Sequence, residues 1–241
     1  MKIRNLKSNS MDAWRDLFCE IDSVKHWKEG RSAQSLAKFI LERNGEREIK
    51  AAVNSVLYND NVDVLTDAVI ECNCSFDRYP TPRRQDMGIW GKTVAGKRFF
   101  IGLEAKVDES FGPTVNEAII EAVAYRDQHP KSKRVDRITE LCRSFGVAAD
   151  EASKFRYQLF HYTAGTANVP GIDIHIMLTL VFKTSMYNEG KGTQNKLDYD
   201  NFIASFFEKK KGCWQLKKCA LPARPYAIYR VVDIRGLHAP S

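Results

Sequence analysis

Three residues of the 241-residue chain combine types and spacing that could do chemistry: Asp86, then Glu104 and Lys106 eighteen and twenty positions later. Residues two apart on a strand share a face and lie roughly 6.6 Å apart along it, so Glu104 and Lys106 would project together. They close the apolar run Phe99-Phe100-Ile101-Gly102-Leu103, which implies burial. Buried charge is expensive unless a metal, a partner or hydrogen bonds compensate. Whether Asp86 joins them depends on register. A three-residue turn at Ala95-Gly96-Lys97 sets Asp86 opposite Lys106 and on its face, whereas a two- or four-residue turn sets it opposite Ala105, facing away. Gly88 and Gly91 could host a bulge that restores the register.

The elements that would carry these residues follow from hydrophobic period. The first ~60 residues read as helices, with Ser10 and Ser32 as N-caps and apolar residues at helical spacing through Leu36, Phe39, Ile40, Ile49, Val53, Val56 and Leu57. Residues 62–76, 87–93 and 98–107 are rich in β-branched, Phe and Trp residues and read as a three-strand meander. Helical spacing returns at 115–126, opened by Pro113, and at 136–145 and 152–163. Residues 172–182 and 226–234 read as strands separated by a helix at 199–209, and Gly190-Lys191-Gly192-Thr193 reads as a flexible turn. The expectation is an α/β fold with a mixed central sheet flanked by helices. A single domain is expected over residues 1–241, with residues 1–60 as its N-terminal helical part; no repeat or linker divides it.

In Arg-Gln-Asp86 followed by Glu104-Ala105-Lys106, and in the stretch from Glu104 to Gly112, the chain resembles the PD-(D/E)XK nuclease superfamily. Tyr157-Gln158-Leu159-Phe160-His161-Tyr162-Thr163-Ala164-Gly165-Thr166 and the strand after it are also similar to some of its members. The resemblance covers roughly residues 60–185 and departs from the family pattern in lacking Pro before Asp86. It implies a restriction-endonuclease-like fold and a Mg²⁺-dependent endodeoxyribonuclease, of restriction or phage-defence type, with Mn²⁺ as a substitute ion. Asp86, Glu104 and the Ala105 carbonyl would hold the metal, a hard cation that selects oxygen ligands. Lys106 would orient the attacking water, and Gln158 or Gln128 would hold water or substrate. A further acid could come from Glu46, Glu48 or Glu71. Two rival readings stand beside it: the three residues form a structural ion network on a sheet edge, or the chain is a non-catalytic nucleic-acid-binding or protein-interaction subunit that retains the nuclease fold.

Bulk composition agrees with a polyanionic partner, which the resemblance implies is DNA, as a duplex. Against 30 acidic residues stand 37 Lys and Arg, a net charge of +7, clumped at Arg83-Arg84, Lys131/Lys133 and Lys209-Lys210-Lys211. Each cluster could neutralise phosphates. A homodimer, whose two sites would cut both strands, stays open. The six cysteines show neither a CxxC pair nor zinc spacing and are expected to be free thiols. The start of the chain lacks a secretory apolar core and no stretch reaches the ~18 apolar residues of a membrane span, so a cytoplasmic protein is expected. Residues 86–93 miss a phosphate-binding loop by one letter, and an acid at that position would repel phosphate.

Overall fold

The computed structural model describes residues 1–21 and 26–235. Along the chain run β1 (Lys2–Ile3), α1 (Met11–Ile21), α2 (Ser32–Glu42), α3 (Gly45–Asn54), β2 (Val62–Cys74), β3 (Arg83–Thr93) and β4 (Arg98–Lys106). Then come α4 (Val115–Gln128), α5 (Arg134–Ser144), α6 (Tyr157–Ala167), β5 (Ile174–Lys183), α7 (Glu189–Phe206), β6 (Phe207–Lys210), β7 (Cys213–Leu216) and β8 (Tyr226–Asp233). The strands form one mixed eight-stranded sheet in the order β1-β2-β3-β4-β5-β8-β7-β6. β2, β3 and β4 form an antiparallel meander, and β5 and β8 continue it in parallel.

β4 is central, and of its nine residues only Arg98 is exposed, as a strand covered on both faces requires. Alternation sorts its side chains. Phe99, Ile101, Leu103 and Ala105 pack with Leu36, Phe39, Ile49 and Val53 beneath the N-terminal helices. On the other face lie Phe100 and then the helices α4 to α7, whose core is a cluster of rings from Phe145, Phe155, Phe160, Phe202 and Phe206. Among the described residues no helix is long and apolar enough to cross a membrane.

Local chemistry accounts for several boundaries that differ from the sequence expectation. Ser10 does cap α1, accepting from the Ala13 N–H at 3.2 Å. Ser32 is instead the first residue of α2, and its N–H is taken by the Glu109 carboxylate at 3.3 Å. α6 begins at Tyr157 and not at 152 because the preceding segment bonds to the start of α4: Val115 N–H donates to Phe155 and Tyr157 N–H to Pro113, both at 2.9 Å. Those groups are not available to a longer helix. The glycines at 190 and 192 lie in the first turn of α7, capped by Asn188, and are not a loop. Gly192 admits the Tyr187 ring, whose hydroxyl would stand 1.8 Å from an added Cβ. β1 and the β6–β7 hairpin have no counterpart in the sequence reading, which ran the last helix through to Lys209. All six cysteines are free.

Docking of α6 against the meander fixes the region of interest. The buried Gln85 amide donates to the Thr166 hydroxyl at 2.9 Å and the Tyr162 carbonyl at 3.1 Å, and the Tyr162 hydroxyl donates to the Gly102 carbonyl at 2.8 Å. This network needs a bare backbone at Gly102, where a Cβ would lie 2.3 Å from both Gln85 Oε1 and Thr166 Oγ1. Gly102→Ala should therefore cost about 1–3 kcal/mol, the usual penalty for overfilling a packed core, measured as a lowered midpoint in urea. A midpoint equal to wild type would show that α6 is not held by this contact.

Candidate functional site

The β3–β4 hairpin closes through three residues, Val94, Ala95 and Gly96. Thr93 N–H donates to the Lys97 carbonyl at 2.9 Å and Gly96 takes φ +78°, the left-handed position such a turn reserves for glycine. The turn has the expected length but sits one residue earlier than Ala95-Gly96-Lys97. Pairing then runs unbroken from Lys92↔Arg98 to Met87↔Leu103, and one step further sets Asp86 opposite Glu104, not Lys106. The parity is preserved as far as Met87↔Leu103, and Asp86, one step beyond that pair, is tied through Oδ2 to the Ala105 N–H at 2.6 Å, where the charges of Glu104 and Lys106 reach it. Facing positions on such strands carry Cβ atoms roughly 4.5–5.5 Å apart. Gly88 and Gly91 host no bulge against β4; they make room for Cys72 and Phe100, and for Phe99.

At that row both β2 and β3 break their alternation. Ile70 and Met87 point into the core under the N-terminal helices. Cys72 and Gln85, each two positions away, lie on the α6 face. The change falls at Glu71, whose φ of +52° is left-handed, a strained choice for a residue with a Cβ. Continuing the β2–β3 register, in which Ile70 faces Met87 and Cys72 faces Gln85, sets Glu71 beside Asp86. Asn5 anchors the strand just before the change, its amide donating to the Ile70 carbonyl at 2.8 Å and accepting from the Ile70 N–H at 3.1 Å. Three carboxylates thus occupy one row on three neighbouring strands.

The charged groups are tightly engaged. Asp86 is half-buried and its Oδ2 accepts from the Ala105 N–H at 2.6 Å. Glu104 is 3% exposed and Lys106 8%. Glu104 Oε1 lies 2.8 Å from Lys106 Nζ and accepts from Gln158 Nε2 at 2.6 Å, while Gln158 Oε1 accepts from Lys106 Nζ at 3.1 Å. Gln158 therefore closes a triangle with both charges. Burial, and then the charges of Glu104 and Glu71, hold the Asp86 carboxyl well above the usual range against the opposing pull of Lys106 and the Ala105 N–H. For Lys106 burial favours the neutral amine, but Glu104 and Asp86 outweigh it and raise its pKa.

Of the other residues singled out from sequence, Arg83 and Arg84 are exposed at the start of β3, beside the site. Lys131 and Lys133 are exposed in the α4–α5 connection, where Lys133 faces Asp136 at 3.5 Å. Lys209 and Lys210 lie on β6 with Lys211 just after it, four strand neighbours from β4, or on the order of 19 Å at ~4.8 Å per strand. Gln128 ends α4, exposed, and makes no contact with the triangle. Glu46 binds the N-terminal ammonium at 2.8 Å and is structural. Of the further acids that the sequence offers, Glu71 is the one whose charge reaches Asp86. Tyr157 and His161 lie on the turn of α6 that carries Gln158, and three-residue helical spacing from Gln158 reaches His161.

A family model described as Domain of unknown function (DUF6946) matches residues 7–224. No curated protein and no solved structure matches the chain.

Because the folded chain holds Asp86 above its ordinary range, folding favours the protonated form. That stabilisation is complete below the unfolded carboxyl's pKa of about 3.9 and is lost as pH rises through the folded value. Asp86→Asn should thus raise the melting temperature of the metal-free protein at pH 7.5, with the gain shrinking as pH falls towards 4. An unchanged or lowered melting temperature at pH 7.5 would refute the crowding of acids described here.

Proposed function

We propose that this chain, which belongs to the DUF6946 family, is a metal-dependent endodeoxyribonuclease with a restriction-endonuclease-like core. The observation that carries the reading is the odd register of the β3–β4 hairpin. That register brings Asp86 to the Ala105 N–H, between Glu104 and Lys106, whose side chains Gln158 joins, and this supports the reading.

The donor set fits a small hard cation. Among the described residues no three His, Cys, Asp or Glu side chains form a ready-made cage. Mg²⁺ characteristically takes one or two carboxylates and completes its shell with water and substrate phosphate. Asp86 uses Oδ2 for the Ala105 N–H and Glu104 uses Oε1 for its two donors, so the second oxygen of each makes none of these bonds. Asp86 and Glu104 would hold the ion with the Ala105 carbonyl. Bound Mg²⁺ or Mn²⁺ supplies a more acidic water and offsets charge on the phosphate.

The remaining steps belong to the protein. Lys106, kept charged by its acidic neighbours, would orient the attacking water and meet the negative charge that builds on the phosphoryl oxygens. Gln158 donates to Glu104 and accepts from Lys106, so it fixes the rotamers of both. Arg83 and Arg84 would contact the DNA backbone beside the cut, with Lys131 and Lys133 on the same strand further out.

The rival reading, a nucleic-acid-binding protein that does not cut, draws on one feature: Glu104, Lys106 and Gln158 already satisfy one another. Cleavage assays with supercoiled, linear duplex and single-stranded DNA, each with Mg²⁺ and with Mn²⁺, decide between them. Asp86→Ala and Glu104→Ala should reduce cleavage to background, Lys106→Ala should slow it roughly 10²–10³-fold, and a chelator should stop it. Full activity in Asp86→Ala sinks the nuclease assignment, and salt-sensitive binding with no cleavage under any of these conditions favours the rival.

A further inference from the structure

One residue before Gln158, at the first position of α6, Tyr157 is 6% exposed; the Arg83 guanidinium reaches towards its oxygen as a donor, but no acceptor is in place for its O–H. A buried O–H left without an acceptor is a cost that native folds seldom carry without a use. The groups around it are donors and cations. The Arg83 guanidinium stands 5.7 Å from the Tyr157 ring centroid. His161, one turn along α6, meets that ring edge-on at 5.3 Å and stacks over Phe76 at 6.3 Å with 15° between the planes. Arg137 lies 4.8 Å from the Phe76 centroid and is clamped by Asp77 at 2.6 and 3.3 Å. Burial, together with Arg83, Arg137 and Lys106, pushes the His161 pKa down to about 3.

The balance of charge in this cluster is uneven. Asp77 neutralises Arg137 and Glu104 neutralises Lys106. Arg83 is exposed and has no carboxylate partner among the described residues. An unneutralised guanidinium from the start of β3 therefore stands beside a phenol O–H without an acceptor and a neutral imidazole N–H, both on the helical turn that carries Gln158. Their common complement is an anion rich in acceptor oxygens.

We propose that Arg83, Tyr157 and His161 form a phosphate subsite that holds the backbone phosphate next to the one being cut. The ligand is the nucleic-acid strand of the nuclease reading, on which the identity of that phosphate rests; the binding itself needs no metal. Arg83 supplies the charge, Tyr157 and His161 supply directed neutral donors, and Phe76 with Arg137 fixes the imidazole plane. A free phosphate ion would find the same donors, so the test has to separate the two sources.

The experiment measures binding of a short fluorescently labelled DNA duplex to the full chain in chelator, across a series of salt concentrations, with inorganic phosphate in a parallel titration. Arg83→Ala should weaken duplex binding roughly tenfold and reduce the slope of log affinity against log salt by about 0.9, the loss of one phosphate contact. Tyr157→Phe, which removes no charge, should weaken binding roughly three- to tenfold with the slope unchanged and the melting temperature no lower than wild type. A purely structural role for Tyr157 would instead lower the melting temperature. Wild-type affinity and slope in both variants overturn the subsite, as does a loss confined to inorganic phosphate. Because no metal is present, an absence of cleavage elsewhere leaves this result readable, and an active nuclease whose variants bind normally refutes the subsite alone.

Discussion

Two opposite charges, Glu104 and Lys106, are buried two residues apart at the end of a strand covered on both faces. Desolvation of such a pair can exceed its Coulombic gain unless hydrogen bonds satisfy what the pair leaves over. Gln158 provides that third partner, and one amide can serve both ends only if α6 lies close against β4. Closeness requires Gly102 on the strand and Gly165 on the helix, where a Cβ would be 3.0 Å from Cys74. The turn beyond the strand is held as well. Asp108 pairs with Arg31 at 2.8 Å, and Glu109 accepts from Val107 N–H at 2.6 Å and from Ser32 N–H at the start of α2. The strand end is thus gripped by a helix from each face, and the charged side chains have little freedom to relax away from each other.

Asp86 stands in a different relation to its surroundings. No Lys or Arg pairs directly with it among the described residues; its carboxylate is met by a backbone N–H and pressed by two other acids. The left-handed Glu71 and the loss of alternation in β2 and β3 fall at this same row. Strain and like-charge crowding of this kind are destabilising by themselves, and persist when surrounding structure over-determines them. Asn5, Gln85 and the unbroken β3–β4 ladder supply that constraint. A cation between Asp86 and Glu104 would relieve the repulsion, whereas it would have to compete with Lys106 for Glu104 alone. The crowded acids, more than the ion pair, are therefore the feature on which the proposed metal site rests.

How much of this was legible follows from which rules stayed local. Glu104 and Lys106 share a face by strand period alone, and Gln158 aligns with Tyr162 and Gly165 by helix period. The hairpin parity was open because the loop could hold two, three or four residues, and within a three-residue loop the preference for glycine at the last position would have chosen the observed register. Nothing local announces the flip at Glu71, since strand reasoning assumes alternation and glutamate is an unusual host for a positive φ. The β6–β7 hairpin hid for another reason. Its strands have four residues each and half of β6 is lysine, so no periodic pattern develops, although Lys211 and Gly212, both with positive φ, form the tight turn that marks it. At the start of α7, capping by Asn188 and the fit of Tyr187 against Gly192 outweigh the poor helix propensity of two glycines.

The same geometry divides the excess positive charge into parts with different work. Lys209 and Lys210 occupy the outermost strand of the sheet, and at ionic strength near 0.15 M the screening length is about 8 Å. A cluster on the order of 19 Å from β4 adds little to the field at Asp86. Lys209 and Lys211 instead lie over the rings of Trp214 and Tyr58, and lysines on an edge strand discourage it from pairing with another chain. The opposite edge is protected differently, because β1 has only two residues. Attraction of an anion to the proposed site would therefore fall to the nearby Arg83, Arg84, Arg137 and Lys106. Since Arg137 and Lys106 are already paired, most of the available charge sits on the two arginines that lead into Asp86.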